Sequence, residues 1–254
     1  MKTLKYSIIL VLCVVSFGVS AQRKYFMRDH RKASFINNVD ATFGLYNPSL
    51  DAINKYSSVS ESGNKLNGGY MGAVDVFAHL YMDGYIGVTG GYYTDNVKGI
   101  IAAGGVTRDE SLTYSAVPIG LKFVHEFHLG DPFLHRPRAA GLLLIHPYLG
   151  LGTTFWSMKQ DFSRTVTGGS TTSYSVKGTY QTVNLIAGIK YTIAKPVDIG
   201  VEYNYIMGGF NQNFESAPTT QTVSVNGSYI GFKLTYLINP RLEWRYVQKV
   251  RRFR

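Results

Sequence analysis

Apolar and non-apolar side chains alternate one for one along much of this chain. In Tyr229-Ile230-Gly231-Phe232-Lys233-Leu234-Thr235-Tyr236, residues Ile230, Phe232, Leu234 and Tyr236 share one face of an extended strand, and Gly231, Lys233 and Thr235 share the other. Seven earlier segments repeat the pattern. About Phe35 to Tyr46 sets Val39, Ala41, Phe43 and Leu45 against Asn38, Asp40, Thr42 and Gly44. About Tyr70 to Leu80 sets Val74, Val76 and Ala78 against Asp75 and His79, and about Tyr85 to Tyr93 sets Ile86, Val88 and Tyr92 against Gly87, Thr89 and Gly91. Similar faces recur over about Leu112 to Phe127, Pro147 to Trp156, Thr179 to Tyr191 and Val197 to Met207. The pattern predicts eight strands of about 9–12 residues, the length a tilted strand needs to cross a bilayer.

The connections add a second regularity. Long polar segments, such as Asn47 to Gly69 and Ser157 to Gly178, join the first strand to the second, the third to the fourth, the fifth to the sixth and the seventh to the eighth. Between these pairs lie the short turns Met82-Asp83-Gly84 and Ala194-Lys195-Pro196 and a longer link from His128 to Gly141. Long and short connections on alternate ends fit an outer-membrane barrel with a periplasmic N-terminus. A soluble β-sandwich would not place its long loops at one end. Tyr46, Tyr92, Tyr93, Tyr114, Trp156, Tyr180 and Tyr205 fall near the loop ends of their strands and are expected to form an interfacial aromatic girdle.

Composition agrees with strands, with 27 Gly, 19 Tyr and 14 Phe against 8 Pro. The first 21 residues have the form of a secretory signal: Lys2 and Lys5, an apolar stretch from about Ser7 to Val19, then Val19-Ser20-Ala21 at the cleavage position. The single cysteine, Cys13, lies inside that signal behind the bulky Leu12, which disfavours lipidation and leaves an exported chain without disulfides. The net charge of +10 becomes +8 without Lys2 and Lys5, and its excess gathers in residues 22–33 and 238–254. Export makes nucleic acid an improbable partner, so anionic lipid headgroups or an acidic protein are the expected ones. The expected organisation is a signal (1–21), a basic segment (22–33), a barrel (34–237) and a basic tail (238–254).

At Val117-Pro118-Ile119-Gly120-Leu121-Lys122-Phe123, Pro147-Tyr148-Leu149-Gly150-Leu151-Gly152 and Val201-Glu202-Tyr203-Asn204-Tyr205, the chain resembles the small OmpA-like and OmpW-like outer-membrane barrels, of Bacteroidota proportions. The resemblance covers about residues 34–237 and implies architecture far more than function. It also implies that Tyr229, Gly231, Leu234 and Tyr236 serve as the signal read by the barrel-assembly machinery. Here the chain runs 18 residues past Tyr236, where the family pattern usually ends. No peptidoglycan-binding domain of the OmpA type is expected in that basic tail.

Chemistry is sparse. Asp40, Asp75, Asp198 and Glu202 on the polar faces stand against Lys122, Lys190 and Lys233, with His79 and Asn184 alongside. An eight-stranded barrel has an interior that side chains can fill, so these groups should pair with one another. The competing reading is a narrow passage that opens when a pair breaks. No histidine is followed two residues later by Ser, as a lipid A deacylase would require, and five of the six histidines fall toward the periplasmic side, away from an omptin-like site. His125, His128 and His135 lack the fixed spacing of a metal site. No catalytic, cofactor or metal residue is therefore assigned. In the tail, Trp244, Arg245, Tyr246, Arg251 and Arg252 are candidates for protein docking, with an interfacial helix and a solvated tail as alternatives. The sequence thus predicts an all-β, eight-stranded, antiparallel, transmembrane up-and-down barrel without enzymatic activity. It would be an envelope scaffold or interaction subunit or, alternatively, an OmpW-like transporter of small or apolar solutes.

Overall fold

Each alternating segment pairs antiparallel with the next, and the last pairs with the first. The computed structural model describes residues 36–57, 59, 62–81, 83–103, 106–127, 144–194, 196–214 and 217–238. The elements in chain order are β1 (Ile36–Pro48), a short helix α1 (Asp51–Tyr56), β2 (Gly69–Tyr81), β3 (Gly84–Ala103), β4 (Val106–Glu126), β5 (Ile145–Val166), β6 (Thr171–Ala194), β7 (Val197–Gln212), β8 (Gln221–Ser224) and β9 (Gly227–Leu237). Eight of the strands close a ring β1-β2-β3-β4-β5-β6-β7-β9, with β6 paired to β7 and β9 paired to β1. The ninth, β8, lies outside the ring and pairs with the end of β7. Segments 1–35 and 239–254 and the link from His128 to Gly141 lie outside the described residues, and with them the expected signal, both basic segments and the tail candidates.

The ring sorts the faces of every strand. Phe43, Val88, Ile119, Phe155, Ile230 and Phe232 point outward, with Ile119 59% and Phe232 57% exposed. So large a band of exposed apolar side chains suits lipid and is incompatible with water. Among the described residues no helix is long and apolar enough to cross a membrane. β1 begins and β9 ends at the rim that carries the short connections.

Two expectations about connections are corrected. The polar stretches read as loops after β3 and β5 are mostly strand: β3, β4, β5 and β6 run for 20, 21, 22 and 24 residues. A crossing takes only about 9–11 residues, so roughly the outer half of each stands clear of the apolar band as a four-stranded sheet. There the register runs without a break from Ala116↔Met158 to Arg108↔Val166 and from Ser157↔Thr179 to Thr165↔Thr171. Where the outward face meets water instead of lipid, Ser, Thr and Lys are as suitable there as Val, while Met158, Gln160 and Phe162 stay buried on the other face, so the apolar–polar alternation weakens while the strand continues. Gly168, at φ +76°, allows the turn that ends β5.

The closing seam depends on a close approach. Gly44 of β1 faces Gly231 of β9, and a Cβ at Gly44 would lie 2.0 Å from the carbonyl oxygen of Ile230. Gly44→Ala is expected to lower stability by about 1–3 kcal/mol, because the obstacle is backbone and cannot swing aside. Gly90→Ala is the control, since nothing lies within 4 Å of a Cβ there. The comparison is read from urea unfolding midpoints in lipid vesicles, and equal midpoints for the two variants would refute this account.

Candidate functional site: a filled lumen

Inward positions on alternate residues bring four layers into the ring. In the half of the ring toward the short-turn rim lies a small apolar group, Phe77, Val124, Tyr148 and Ile186, with Tyr85 packed against it. Beside it lies a layer of ions. Lys122 reaches Asp75 at 2.8 Å and Glu202 at 3.4 Å, and Lys190 reaches Glu126 at 3.0 Å and Asp40 at 3.4 Å. Lys233 binds Glu202 and stands 3.1 Å from Asp40 and 3.9 Å from Asp75. None of the three lysines is more than 5% exposed. The Tyr148 hydroxyl donates to Glu202 at 3.1 Å, and its ring lies 5.0 Å from the Lys233 ammonium and 5.2 Å from that of Lys190. Asn38 donates to Asp40 at 2.6 Å. Buried charge persists where each group has such partners.

Above the ions is a layer of neutral hydrogen bonds. Asn184 donates to Thr154 at 2.7 Å, and Trp156 Nε1 donates to the Thr182 hydroxyl at 2.9 Å. Trp156 begins the next layer. Its ring stacks on Tyr180 at 5.8 Å and on Tyr46 at 5.9 Å, Tyr46 meets Tyr93 edge-on at 5.1 Å, Tyr93 meets Tyr114 at 5.9 Å, and Tyr180 stacks on Phe210 at 5.1 Å. The Tyr114 and Tyr180 hydroxyls share a hydrogen bond at 3.1 Å, and the Tyr46 hydroxyl donates to the Val225 carbonyl.

These aromatics correct the expected girdle. Tyr46, Tyr93, Tyr114, Trp156 and Tyr180 are buried inside the ring, whereas Tyr92 and Tyr205 do face outward. The loop between β1 and β2 closes the same end. Leu50 and Ile53 of the α1 region, with Val59 and Leu66, are buried against the aromatic layer. Asn54 clamps the loop by donating to the Leu66 carbonyl at 3.0 Å and accepting from the Leu66 N–H at 2.9 Å. This segment, expected to be a solvated polar loop, is a lid with an apolar underside. Between the ionic and aromatic layers a cavity of about 10 Å³ is lined by Lys122, Trp156, Asn204 and Tyr229 among others. That is about the room one water requires.

Of the charged residues singled out from the sequence, Asp40, Asp75, Lys122, Lys190, Glu202 and Lys233 meet in one layer. Asp198 is also buried and pairs in register with Thr192 near the short-turn rim. His79 is not in the interior; it is exposed at the rim, edge-on to Tyr85 at 5.5 Å. Glu126 and Tyr148 were missed as members, although each continues the inward parity of Lys122 and Gly150 on its own strand. Tyr229 and Gly231 point inward, with the Tyr229 ring over Gly231, and Leu234 and Tyr236 point outward. Beyond the apolar band, a hydrogen bond from Lys159 holds the exposed Asp161 carboxyl below the usual carboxylate range, and burial pushes the Asp95 carboxyl up. Among the described residues no three His, Cys, Asp or Glu side chains group as metal ligands.

The family model described as outer membrane protein beta-barrel domain matches residues 9–236. The chain is similar in structure to neisserial surface protein A, with 15% identity over 81% of this chain and 99% of that one and a TM-score of 0.44. It is similar to OprG from Pseudomonas aeruginosa, with 10% identity over 79% of this chain and 96% of that one at TM-score 0.42. E. coli outer membrane protein W gives 12% identity over 82% of this chain and 100% of that one at TM-score 0.37. No curated protein matches the sequence.

Proposed function

Because the chain belongs to the outer-membrane β-barrel domain family, we propose that it serves the envelope as a non-enzymatic structural or interaction component, possessing a closed wall where a porin has a pore. The observation that carries this reading is the filled lumen: ion layer, hydrogen-bond layer, aromatic layer and lid succeed one another, and the cavity between the ionic and aromatic layers has room for about one water. In this reading residues 1–21 are removed on export, and 22–33 and 238–254 are periplasmic. The long connections and the projecting sheet then face outside. Tyr229, Gly231, Leu234 and Tyr236 serve recognition by the barrel-assembly machinery, outer-membrane lipid surrounds the apolar band, and Trp244, Arg245, Tyr246, Arg251 and Arg252 offer contacts to a protein partner. Subunit status in a larger outer-membrane or secretion-associated complex fits that division of surfaces.

Planar-bilayer recording tests the reading. The full chain is expected to give no sustained single-channel current, and a steady ion-selective current would overturn it. One observation favours the alternative, OmpW-like passage of small or apolar solutes. The β3–β4 register runs to Gly90↔Ile119 and resumes in the same frame at Tyr93↔Ala116, so Gly91 and Tyr92 have no paired residue on β4 beside Pro118. Proline brings no N–H to a ladder, and a wall with fewer hydrogen bonds parts more readily there. Uptake of a small alkane into vesicles carrying the protein, without ionic current, would favour that second reading.

A further inference from the structure

Projection of the sheet leaves its two margins in different states. On the β3 margin the first loop covers the strand, with Asn64 Nδ2 donating to the Lys98 carbonyl at 2.7 Å. The β6 margin differs. β6 pairs with β5 along its length to Thr171, but its pairing with β7 stops at Thr182↔Gly208. From Gly209 onward β7 is no longer paired with β6, while on its other side β8 continues the frame of β9, from Gly209↔Ser224 to Gln212↔Gln221. Ser175–Gln181 therefore has, among the described residues, one paired side and one side with no strand paired to it, β7 staying close only at its Gln181 end, where Tyr180 stacks on Phe210.

We infer that Ser175–Gln181 is a docking edge for an extended polypeptide segment bearing an acidic side chain, which would add to the projecting sheet as a further strand beside β6. A row of backbone donors and acceptors is matched in full only by another extended backbone. The segment has none of the usual protections except a single charge: no proline and one lysine, in the run Ser-Val-Lys-Gly-Thr-Tyr-Gln. That lysine supplies the chemistry of the partner. Lys177 stands directly opposite Lys159 in register, and Lys159 is 2.7 Å from Asp161, so two ammonium groups share one carboxylate. Like charges directly opposed on neighbouring strands repel, and a carboxylate on an added strand next to Lys177 would relieve the repulsion.

A second copy in the same membrane is the weaker occupant. Antiparallel pairing of two β6 edges would stand the two barrels in opposite senses, which leaves a copy only the less stable parallel pairing. The inference rests on the interaction reading above and adds the partner's chemistry to it.

The test uses the full chain in lipid nanodiscs and measures amide hydrogen exchange on titration with an acetylated peptide of about eight alternating Thr and Val residues that includes two Glu. Exchange in 175–181 is expected to slow by about tenfold or more at saturation. The same peptide N-methylated at alternate residues should give no slowing. A version with Lys in place of Glu should bind up to about fivefold more weakly, an order that Lys177→Glu reverses. Unchanged exchange at every peptide concentration, slowing confined to other strands, or equal slowing by the N-methylated peptide would each overturn the inference. Bilayer recording of the same preparation reads the closed lumen separately, so failure at this edge leaves that reading standing.

Discussion

Lys233→Ala is expected to lower the unfolding free energy by about 3–5 kcal/mol, the range found when one partner of a buried ionic group is removed. Lys233 is 1% exposed and contacts carboxylates from three strands: Asp40 of β1, Asp75 of β2 and Glu202 of β7. Without it these groups keep Lys190 and Lys122 as cationic partners and the neutral donors Asn38 and Tyr148. Urea unfolding in vesicles, followed by the fluorescence of the buried Trp156, reads the loss. Lys159→Ala is the matched control, since the Lys159–Asp161 pair is 48% and 44% exposed and such pairs contribute about 0–1 kcal/mol. Lys233→Met combined with Glu202→Gln should recover part of the loss, because the charge left behind, more than the missing attraction, is the main cost. A stability within about 1 kcal/mol of the parent for Lys233→Ala would mean that the ionic layer contributes little to holding the barrel together.

Trp156→Ala is expected to cost a comparable amount, about 3–5 kcal/mol, through a different term. The side chain is 1% exposed, stacks on Tyr46 and Tyr180 and lines the small internal cavity, so truncation would enlarge that cavity among rings held by their own hydrogen bonds. Collapse around the gap is limited because those rings are anchored to separate strands. Trp156→Phe keeps a stacking face but loses the bond to Thr182, and should cost less, about 1 kcal/mol for the hydrogen bond plus a smaller cavity. Far-UV circular dichroism across a urea series gives both values. Equal stability of the Ala variant and the parent would show that the aromatic layer is loosely packed.

The ring itself was legible because lipid imposes a rule on every outward position: Phe43, Val88, Ile119 and Ile230 could be assigned to one face from the period alone. The same rule explains what was misread. Where β5 and β6 leave the lipid, Ser157, Ser163, Ser173 and Ser175 no longer need apolar neighbours, so strand and loop look alike in a hydrophobicity pattern. Thr171, Thr172, Tyr174, Val176, Thr179 and Tyr180 carried the signal instead, as a cluster of β-favouring residues. The aromatic layer was misplaced for another reason. Tyr46 continues the parity of Asp40, Thr42 and Gly44, and Trp156 that of Thr154, so counting by two places both inside. An expectation drawn from their position near strand ends overrode that count. The cross-lumen partners could not be read at all, since which inward groups meet depends on how the ring staggers.

The ion pairs also bear on the order of assembly. Lys122 of β4 meets Glu202 of β7, and Lys190 of β6 meets Asp40 of β1, contacts between strands that are not neighbours in the ring. No flat sheet of these strands can make them. Asp40 and Asp75 enter with the first two strands and Lys233 arrives with the last, so the final neutralisation of the early carboxylates waits for the chain's end. An unclosed sheet would carry these charges into hydrocarbon with part of their counter-charge missing, which disfavours every half-inserted intermediate. Curling shut and shedding water from the charged interior are therefore one concerted event, and strand-by-strand insertion is disfavoured by the same lysines that hold the finished barrel closed.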